Sequence, residues 1–375
     1  MSNKTIWILF LVPVLYSCKD KYNPPDIDLP NPLLVVEGYL NAGGLTTVHL
    51  SRTFKLNAAN RPVPETGAQV RVEGSNSTFY NLIPKPNGVY EIANLPLNPG
   101  QKYRLHIFAK SKQYVSDFVE VKLTPPIDTV NWKRERDGVQ IYVNTHDPQN
   151  KTVYYLWNYD ETWEFNSIYP SNKEYKNNKV VDRDPNVNIF TCWKSQSSTN
   201  VFVGSSAKLS SDVISLMPIR LIPNFSWMLS VKYSILVRQY ALTEQGYKYW
   251  QNIKKNTEQL GSIFDVQPSE IRGNLRCLTD TNEIVIGHIS AGRIMEQRIF
   301  INPKDVPSWT SINYATDCTL DTTKLDSIRY WFQDGQYIPI TESYDAFGNF
   351  LYPFARNICV DCRLTGSNVR PPFWR

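Results

Sequence analysis

A stretch near the middle of the chain, residues 155–165, combines aromatic and acidic side chains that could contact or cleave a sugar. If this stretch is a strand, successive side chains point to opposite faces. One face would carry Tyr155, Trp157, Tyr159, Trp163 and Phe165, and the other would carry Asn158, Asp160, Thr162 and Glu164. Half-buried antiparallel strands turn their apolar face to the core, which favours core packing of the aromatic residues. The alternative is a ligand-stacking platform for a sugar ring or a partner loop, formed by Tyr155, Trp157, Tyr159 and Trp163.

No residue in the chain is predicted to be catalytic. Asp160 and Glu164 resemble a glycosidase pair, but that chemistry needs two acids about 5 to 10 Å apart across a cleft, which sequence cannot show. The histidines are scattered and have no metal-binding spacing: His49, His106, His146 and His288. Gly-x-Ser-x-Gly, Gly-x-Gly-x-x-Gly and Walker motifs are also missing. We therefore predict no metal and no cofactor.

The elements that carry these residues are predicted to be mainly β-strands. The chain has 375 residues, of which 42% are hydrophobic, 13% aromatic and 20% charged. This composition excludes a disordered chain, and the interspersed net charge of +5 gives no footprint for nucleic acid. Short strands separated by turn residues predict a β-sandwich over 33–124; the strands expected are 33–40, 46–53, 68–73, 78–82, 90–93 and 103–109.

A second, larger β-rich domain is expected over 125–375, opening with a hairpin at Asp137-Gly138. One or two short helices are expected within it. The clearer helix is 243–260, where Thr243 can cap the first turn and Gly261 can end the helix. The shorter candidate is 210–216.

The first residues of the chain predict lipid anchoring. Residues 1–17 have the short apolar run of a signal peptide, and Leu15-Tyr16-Ser17-Cys18 resembles the bacterial lipobox, in which the cysteine is lipidated. The alternative is a conventional signal peptide followed by an ordinary cysteine. A Pro-rich tether is predicted over 18–32. Its charged start, residues 19–21, resembles a surface-export signal of Bacteroidota lipoproteins and favours the cell surface over the periplasmic face.

Besides Cys18, five cysteines remain, a number that cannot all pair within the chain. In an oxidising envelope we expect two disulfides, in one of three connectivities, among the last four cysteines, Cys277, Cys318, Cys359 and Cys362. Cys192 would then be left unpaired. The alternatives are a redox pair at 359–362 or a four-thiolate zinc site. The first would require a following helix, which the sequence does not predict, and the second would normally show another Cys-x-x-Cys.

Three triplets resemble the Asp-Ser/Thr-apolar acceptor of Bacteroidota O-glycosylation, beginning at Asp128, Asp321 and Asp326. Such triplets also begin turns and strands, and that interpretation is favoured. Thr129 is the first candidate for modification, because an acceptor at the expected domain junction would be exposed.

A series of ordered blocks along the chain resembles one family. The blocks lie at 34–38, 50–53, 161–165, 192–193, 240–242, 250–256, 260–265, 298–301, 359–362 and 372–374. They resemble the Bacteroidota outer-membrane lipoproteins classed as domain of unknown function 4249. This resemblance implies an immunoglobulin-like N-terminal domain and a gene often placed beside a TonB-dependent transporter. It supplies no catalytic residue.

Together these observations predict an outer-membrane, lipid-anchored, non-enzymatic protein. We expect a binding or accessory component beside a TonB-dependent outer-membrane transporter, with a glycan or peptide as ligand. The alternative is an envelope hydrolase acting on glycan or peptide, suggested by residues 157–164. A purely structural role in the outer membrane is a third interpretation, which no residue distinguishes.

Overall fold

The computed structural model describes residues 32–54, 62–258 and 272–375. Several predictions fall outside these residues: the signal peptide 1–17, the lipidation residue Cys18, the tether up to residue 31, and the helix stop at Gly261. From Leu33 to Arg375 the chain groups into one unit.

Short strands dominate the described chain, which confirms the predicted mainly β fold. The first ten strands are β1 Leu34–Asn41, β2 Thr46–Arg52, β3 Val63–Pro64, β4 Gln69–Gly74, β5 Phe79–Asn81, β6 Ile83–Lys85, β7 Val89–Ile92, β8 Lys102–Ala109, β9 Lys112–Ser116 and β10 Val119–Lys122. The next nine are β11 Ile127–Glu135, β12 Gly138–His146, β13 Tyr154–Asn166, β14 Lys173–Lys176, β15 Lys179–Asp182, β16 Thr191–Ser197, β17 Phe202–Ser205, β18 Val213–Pro223 and β19 Lys232–Ala241. The remaining elements are α1 Glu244–Glu258, β20 Leu275–Cys277, β21 Val285–Gly287, β22 Ser290–Gly292, β23 Met295–Ile301, β24 Asp321–Thr323, α2 Ile328–Phe332, β25 Tyr337–Pro339, β26 Ser343–Tyr344, β27 Phe350–Arg356 and α3 Asn357–Val360.

The six strands predicted in the first range are all present, with bounds within one residue of the expected ones. Strands β3, β6, β9 and β10 were not predicted. The turn at Asn87-Gly88 joins β6 to β7, and both residues have positive φ, 62° and 72°. A Cβ at Gly88 would also overlap the carbonyl oxygen of Leu50. This turn therefore requires glycine at residue 88.

The first sheet contains thirteen strands within the described residues. Their order is β20-β9-β8-β10-β22-β1-β2-β7-β6, with β21 on β1, β3 on β2, β4 on β8 and β5 on β4. Strand β22 lies between β1 and β10 and runs parallel to both, so that Ala291 is opposite Leu40 on one side and Val121 on the other. The domain boundary at residue 124 stays a prediction, but residues 275–292 supply strands to the sheet of the first range.

Two further sheets share a second core. One has the order β11-β12-β18, and the other has the order β16-β13-β19-β23 with β17 also on β13. The expected hairpin joins β11 to β12, where Glu135 is paired with Gly138. The core contains side chains of both sheets, including Val139, Ile141, Trp157, Trp163 and Ile235. This arrangement is that of a sandwich whose inner faces supply the core.

The last part of the chain forms a small sheet, β24-β27-β25, with β26 on β27. The hairpin β14–β15 lies close to it, because Tyr175 packs on Phe332 of α2 with ring centroids 5.9 Å apart. Helices α2 and α3 in this part were not predicted. Each has only one turn, too short to leave an apolar periodicity in the sequence.

Helix α1 begins as expected. The backbone N–H of Gly246 donates to Thr243 Oγ1 at 3.1 Å, and that of Tyr247 donates to the Thr243 carbonyl at 2.9 Å. The second predicted helix, 210–216, was wrong. Val213 and Ile214 begin β18 and pair with β12, since β-branched side chains pack better on a pleated sheet than in a short helix.

Within the described residues there are two disulfides, Cys192–Cys362 and Cys318–Cys359. The prediction that Cys277 pairs and Cys192 does not was therefore wrong. Cys277 lies on β20 inside the first core and is a buried free thiol, whereas the other four cysteines lie near the second core and the C-terminal sheet. Long-range strand pairing, which the spacing of cysteines does not encode, decides which thiols meet.

Residues near the C-terminus cover part of the outer face of the second sandwich. Trp374 is buried, packs against Phe300 with ring centroids 5.5 Å apart, and donates its indole N–H to Glu164 Oε2 at 2.7 Å. The Arg298 guanidinium lies 3.6 Å from the centre of the Phe373 ring. The polar face of β13 is therefore occupied at one end by the chain itself.

Candidate binding groove

A groove of about 790 Å³ lies between the outer face of strands β1 and β2 and the outer face of strands β13 and β19. Helix α1 and residues 288–296 complete its walls. Its volume is within the range of roughly 300–1,000 Å³ that small-ligand sites occupy. We take this groove as the candidate functional site.

Strand alternation decides which side chains of the first sheet enter the groove. Val36 and Leu40 point into the first core, so Glu37 and Tyr39 point to the opposite face. His49 on β2 is directly opposite Glu37 in the antiparallel pair. Glu37 and His49 are both exposed, and all three outward side chains line the groove.

The opposite wall follows the same rule. Trp157 of β13 is buried in the second core, so Leu156 and Asn158 point outwards, and Arg238 and Tyr240 lie beside them on β19. The Asn158 side-chain amide donates to the Tyr240 hydroxyl at 3.0 Å. The wall is therefore a mixture of aromatic, amide and charged groups on a rigid sheet.

Tyr39 links the two walls at the bottom of the groove. Its ring meets the Tyr240 ring edge-on, with centroids 4.9 Å apart, and its hydroxyl donates to the Ala241 carbonyl at 3.4 Å. Burial is the main cause of a raised pKa for Tyr39, so the phenol stays neutral and remains a hydrogen-bond donor. The contact holds the two sheets together at one point of the groove.

Arg238 is held between two carboxylates. Its guanidinium contacts Asp160 Oδ2 at 2.5 Å and Glu296 Oε1 at 2.9 Å. Burial alone would raise the pKa of the Asp160 carboxyl, but hydrogen bonds from Arg238 and Ser197 outweigh it and lower that pKa. Asp160 is therefore ionised near neutral pH and has the wrong protonation state for a general acid.

His288 closes the groove beside helix α1. It is 7% exposed, and its ring stacks on Tyr249 of α1 with centroids 5.1 Å apart. Burial lowers the pKa of His288 to about 4, so the imidazole is neutral at physiological pH. Its Nδ1 lies 3.3 Å from Ser290 Oγ. A neutral imidazole at this position can donate or accept one hydrogen bond without adding charge.

The aromatic residues proposed to stack on a ligand lie elsewhere. Tyr155, Trp157, Tyr159 and Trp163 are all buried in the second core, at most 7% exposed, so the ligand-stacking hypothesis for them was wrong. Trp157 donates its indole N–H to Gln239 Oε1 at 2.8 Å inside that core. The structure confirms the favoured interpretation, in which this face of the strand packs into the core.

Asp160 and Glu164 share the outer face of β13, as the alternation predicts. They are four residues apart on one strand, which separates them by about 13 Å. Asp160 is paired with Arg238, and Glu164 accepts the hydrogen bond from Trp374. They therefore do not form the closely spaced pair that glycoside hydrolysis needs.

Glu161 is a buried acidic residue that no sequence pattern predicts. It is 0% exposed and accepts hydrogen bonds from Arg220 at 2.8 Å, from Tyr233 at 2.5 Å and from Gln196. Because strand β13 places Glu161 on the aromatic face, these partners from neighbouring strands replace its water. Its role is within the core, not in the groove.

Thr129 is exposed on β11, and its hydroxyl accepts a hydrogen bond from the Asn144 amide at 2.9 Å. Its modification stays a prediction. In the described ranges, no group of three or more His, Cys, Asp or Glu side chains is arranged to hold a metal ion.

Sequence reasoning missed the groove residues Glu37, Tyr39, Trp250 and Arg293. Glu37 and Tyr39 do alternate with apolar residues of β1, which is a signal that they face outwards. No local signal shows that β13 and β19 lie opposite them. Trp250 lies within the predicted helix 243–260, and in the structure it is half-buried at the groove wall.

These features define a mainly β protein whose described residues form two disulfides and a groove between the first sheet and the sheet that contains β13 and β19. None of the helices in the described part of the chain is long and apolar enough to cross a membrane. The chain belongs to the family described as Domain of unknown function (DUF4249), whose model matches residues 19–298. This confirms the resemblance drawn from the sequence blocks.

Other comparisons add little. No curated protein matches the chain. Among solved structures, the adhesin InvE of Yersinia pseudotuberculosis aligns over 86% of this chain and 73% of its own length, at 12% identity and a TM-score of 0.15. A likeness at that score carries no argument about fold or function.

Proposed function

We propose that this protein is a lipid-anchored outer-membrane component that captures a ligand in its groove beside a TonB-dependent transporter, without catalysing a reaction. The observation that carries the proposal is the groove itself. It combines aromatic rings, side-chain amides and fixed charges on two rigid sheets, which is the composition that ligand sites use to orient a bound molecule.

The charges at the groove support binding over hydrolysis. Arg238 is neutralised by Asp160 and Glu296, so these three groups are committed to each other. The carboxylates that first suggested an envelope hydrolase lie about 13 Å apart on one strand and each has a partner. No specific contact among the described residues favours the hydrolase.

The proposed anchor rests on the sequence of the first residues. Cys18 follows a signal-peptide-like run, and the tether after it carries four prolines between residues 22 and 32. A lipidated Cys18 with an extended tether would hold the sheets some tens of Å from the membrane. The charged residues 19–21 favour the cell surface, where Thr129 would be accessible for O-glycosylation.

The proposal is tested by finding what co-purifies with the protein. An affinity tag is best inserted beside Phe347, which is 91% exposed in a turn closed by Asp345 and Asn349, because the C-terminal residues are packed on the sheet. Native membranes are solubilised in mild detergent, and bound proteins are identified by mass spectrometry. We expect an outer-membrane transporter barrel in equal amount.

A matched Cys18→Ser variant is the control for anchoring. It should lose lipid and fail to partition into a detergent-rich phase, whereas the wild-type protein should partition there. If the wild-type protein elutes without a barrel, the accessory role is contradicted. If Cys18→Ser partitions like the wild type, the lipid anchor is contradicted.

A further inference from the structure

The groove has a fixed length and opposite charges at its two ends. Strand β1 forms one side, with Glu37 near one end. At the other end, the parallel pairing of β1 with β22 places Gly292 opposite Asn41, so Arg293 lies one residue beyond Asn41. Five residues of extended strand, roughly 16 Å, separate Glu37 from the position on β1 beside which Arg293 lies.

Glu37 and Arg293 carry charges that no other described residue neutralises. Both are exposed and line the groove, and neither forms an ion pair with a residue in the described ranges. The other two charged groups of the lining, Arg238 and Glu296, are paired with each other. His49 is opposite Glu37, but no hydrogen bond joins their side chains among the described residues.

The rest of the groove lining offers apolar and amide groups. Tyr240 and Trp250 supply aromatic surface, and Leu45 is 54% exposed at the glycine turn after β1. Asn158 supplies a side-chain amide, which can pair with a peptide group. A chain of alternating apolar and amide groups therefore fits this region.

We propose that the groove binds a short extended peptide with both termini free, the amino terminus at Glu37 and the carboxylate at Arg293. An extended chain advances about 3.3–3.6 Å per residue, so four to six residues span the two charges. A neutral oligosaccharide leaves both charges without a partner, and for that reason the peptide is favoured over the glycan. This inference rests on the proposed function, because it names the ligand of the same groove.

The test uses the detergent-solubilised full chain and a casein hydrolysate restricted to peptides of four to six residues. The same pool is also N-acetylated, or amidated at its carboxyl groups. Native mass spectrometry and competition titration measure binding of each pool. Wild-type protein should bind the untreated pool, and each blocked pool should bind about tenfold more weakly, since each has lost one charge-assisted hydrogen bond.

Two variants show which residue reads which terminus. Glu37→Gln should bind the acetylated pool as well as the untreated pool, while still rejecting the amidated pool. Arg293→Gln should show the reverse pattern. Glu135→Gln and Arg136→Gln, exposed positions at the β11–β12 hairpin and outside the groove, should bind all three pools as the wild type does.

Equal binding of blocked and untreated pools by the wild type would overturn the proposal. The proposal would also be overturned if the protein bound no peptide but bound a maltodextrin mixture saturably, and if Trp250→Ala abolished that binding. Co-purification of a transporter barrel together with no peptide binding would leave the proposed function standing and refute the peptide ligand. Terminus-dependent peptide binding without a barrel would support the ligand and refute the accessory role.

Discussion

Glu161 is the most completely enclosed charged side chain of the described chain. Its carboxylate holds Arg220, Tyr233 and Gln196, which come from three other strands. A buried ion pair contributes little over an apolar pair, but removing one partner leaves the other charge without compensation. Glu161 therefore links the two sheets of the second sandwich at one point.

We expect Glu161→Gln to lower the free energy of unfolding by about 3 kcal/mol, because Arg220 would keep its charge at a largely buried site. Urea denaturation followed by tryptophan fluorescence measures this. Glu135→Gln, at an exposed position, should change stability by less than about 0.5 kcal/mol. A loss of similar size in both variants would contradict the role given to Glu161.

His288 predicts a pH dependence of stability. Burial lowers its pKa from 6.5 to about 4, so the unfolded chain binds a proton more readily than the folded one between these values. The contribution of neutral His288 is fully present above pH 6.5 and is lost as pH falls towards 4, up to about 3 kcal/mol. Burial alone would raise the pKa of Glu73, but hydrogen bonds from His106, Arg104 and Arg71 outweigh it and lower that pKa to about 2. The contribution of Glu73 to stability is therefore present above its usual value of 4.5 and is lost only below it.

The measurement is the urea midpoint at pH 7 and pH 5, because the contribution of Glu73 is present at both pH values and adds little to the difference between them. Wild-type protein should be less stable at pH 5, and His288→Gln should show a smaller difference between the two pH values. His146→Gln is the control, because His146 is exposed and paired with Asp128, which raises its pKa and gives the opposite sign. An unchanged pH difference in His288→Gln would rule out this origin.

At the element scale, helix α1 depends on a single cap to begin beside the groove. The Thr243 hydroxyl accepts a hydrogen bond from the Gly246 N–H, and α1 then places Trp250 at the groove and Tyr249 against His288. Thr243→Ala should lower the free energy of unfolding by about 1 kcal/mol, while Thr243→Ser should keep most of the stabilisation that the cap provides. Equal stability of the two variants in thermal unfolding would show that the cap does not matter.

The disulfides constrain the elements around the second core and the C-terminal sheet. The bridges close sequence separations of 170 and 41 residues, for which chain entropy gives about 5 and about 4 kcal/mol. Replacing Cys318 and Cys359 by serine should therefore lower the unfolding midpoint markedly, whereas Cys277→Ser should have a smaller effect. Apart from Cys18, thiol titration should detect one reactive group, Cys277, and only after unfolding.

The strands were largely predictable, and the groove was not. Alternation sufficed to assign the faces of β13, since a period of two is a property of every strand. Alternation could not show that Glu161 would find hydrogen-bond partners on the apolar face, because those partners, Arg220 and Tyr233, belong to β18 and β19. The groove joins residues near 37, 158, 238 and 293, which only long-range pairing brings together.

At the scale of the whole molecule, residues 275–292 bind the beginning of the chain to its later part. A fragment of residues 33–124 would lack β20, β21 and β22, leaving β1 and β10 with unpaired edges. We expect this fragment to lack a cooperative thermal transition by circular dichroism, whereas the chain from residue 33 to 375 should have one. A cooperative transition of the fragment would show that it folds independently.

The position of β22 also has a consequence for the order in which the molecule folds. Asn41 and Ile294, which are hydrogen-bonded through the Asn41 side chain, are 253 residues apart. Native partners so distant in sequence must wait for most of the polypeptide to be available, and closing such a loop slows folding. The strands that are synthesised first are thus among the last to complete their pairing. Until the later segments arrive, the chain remains open and depends on protection from aggregation.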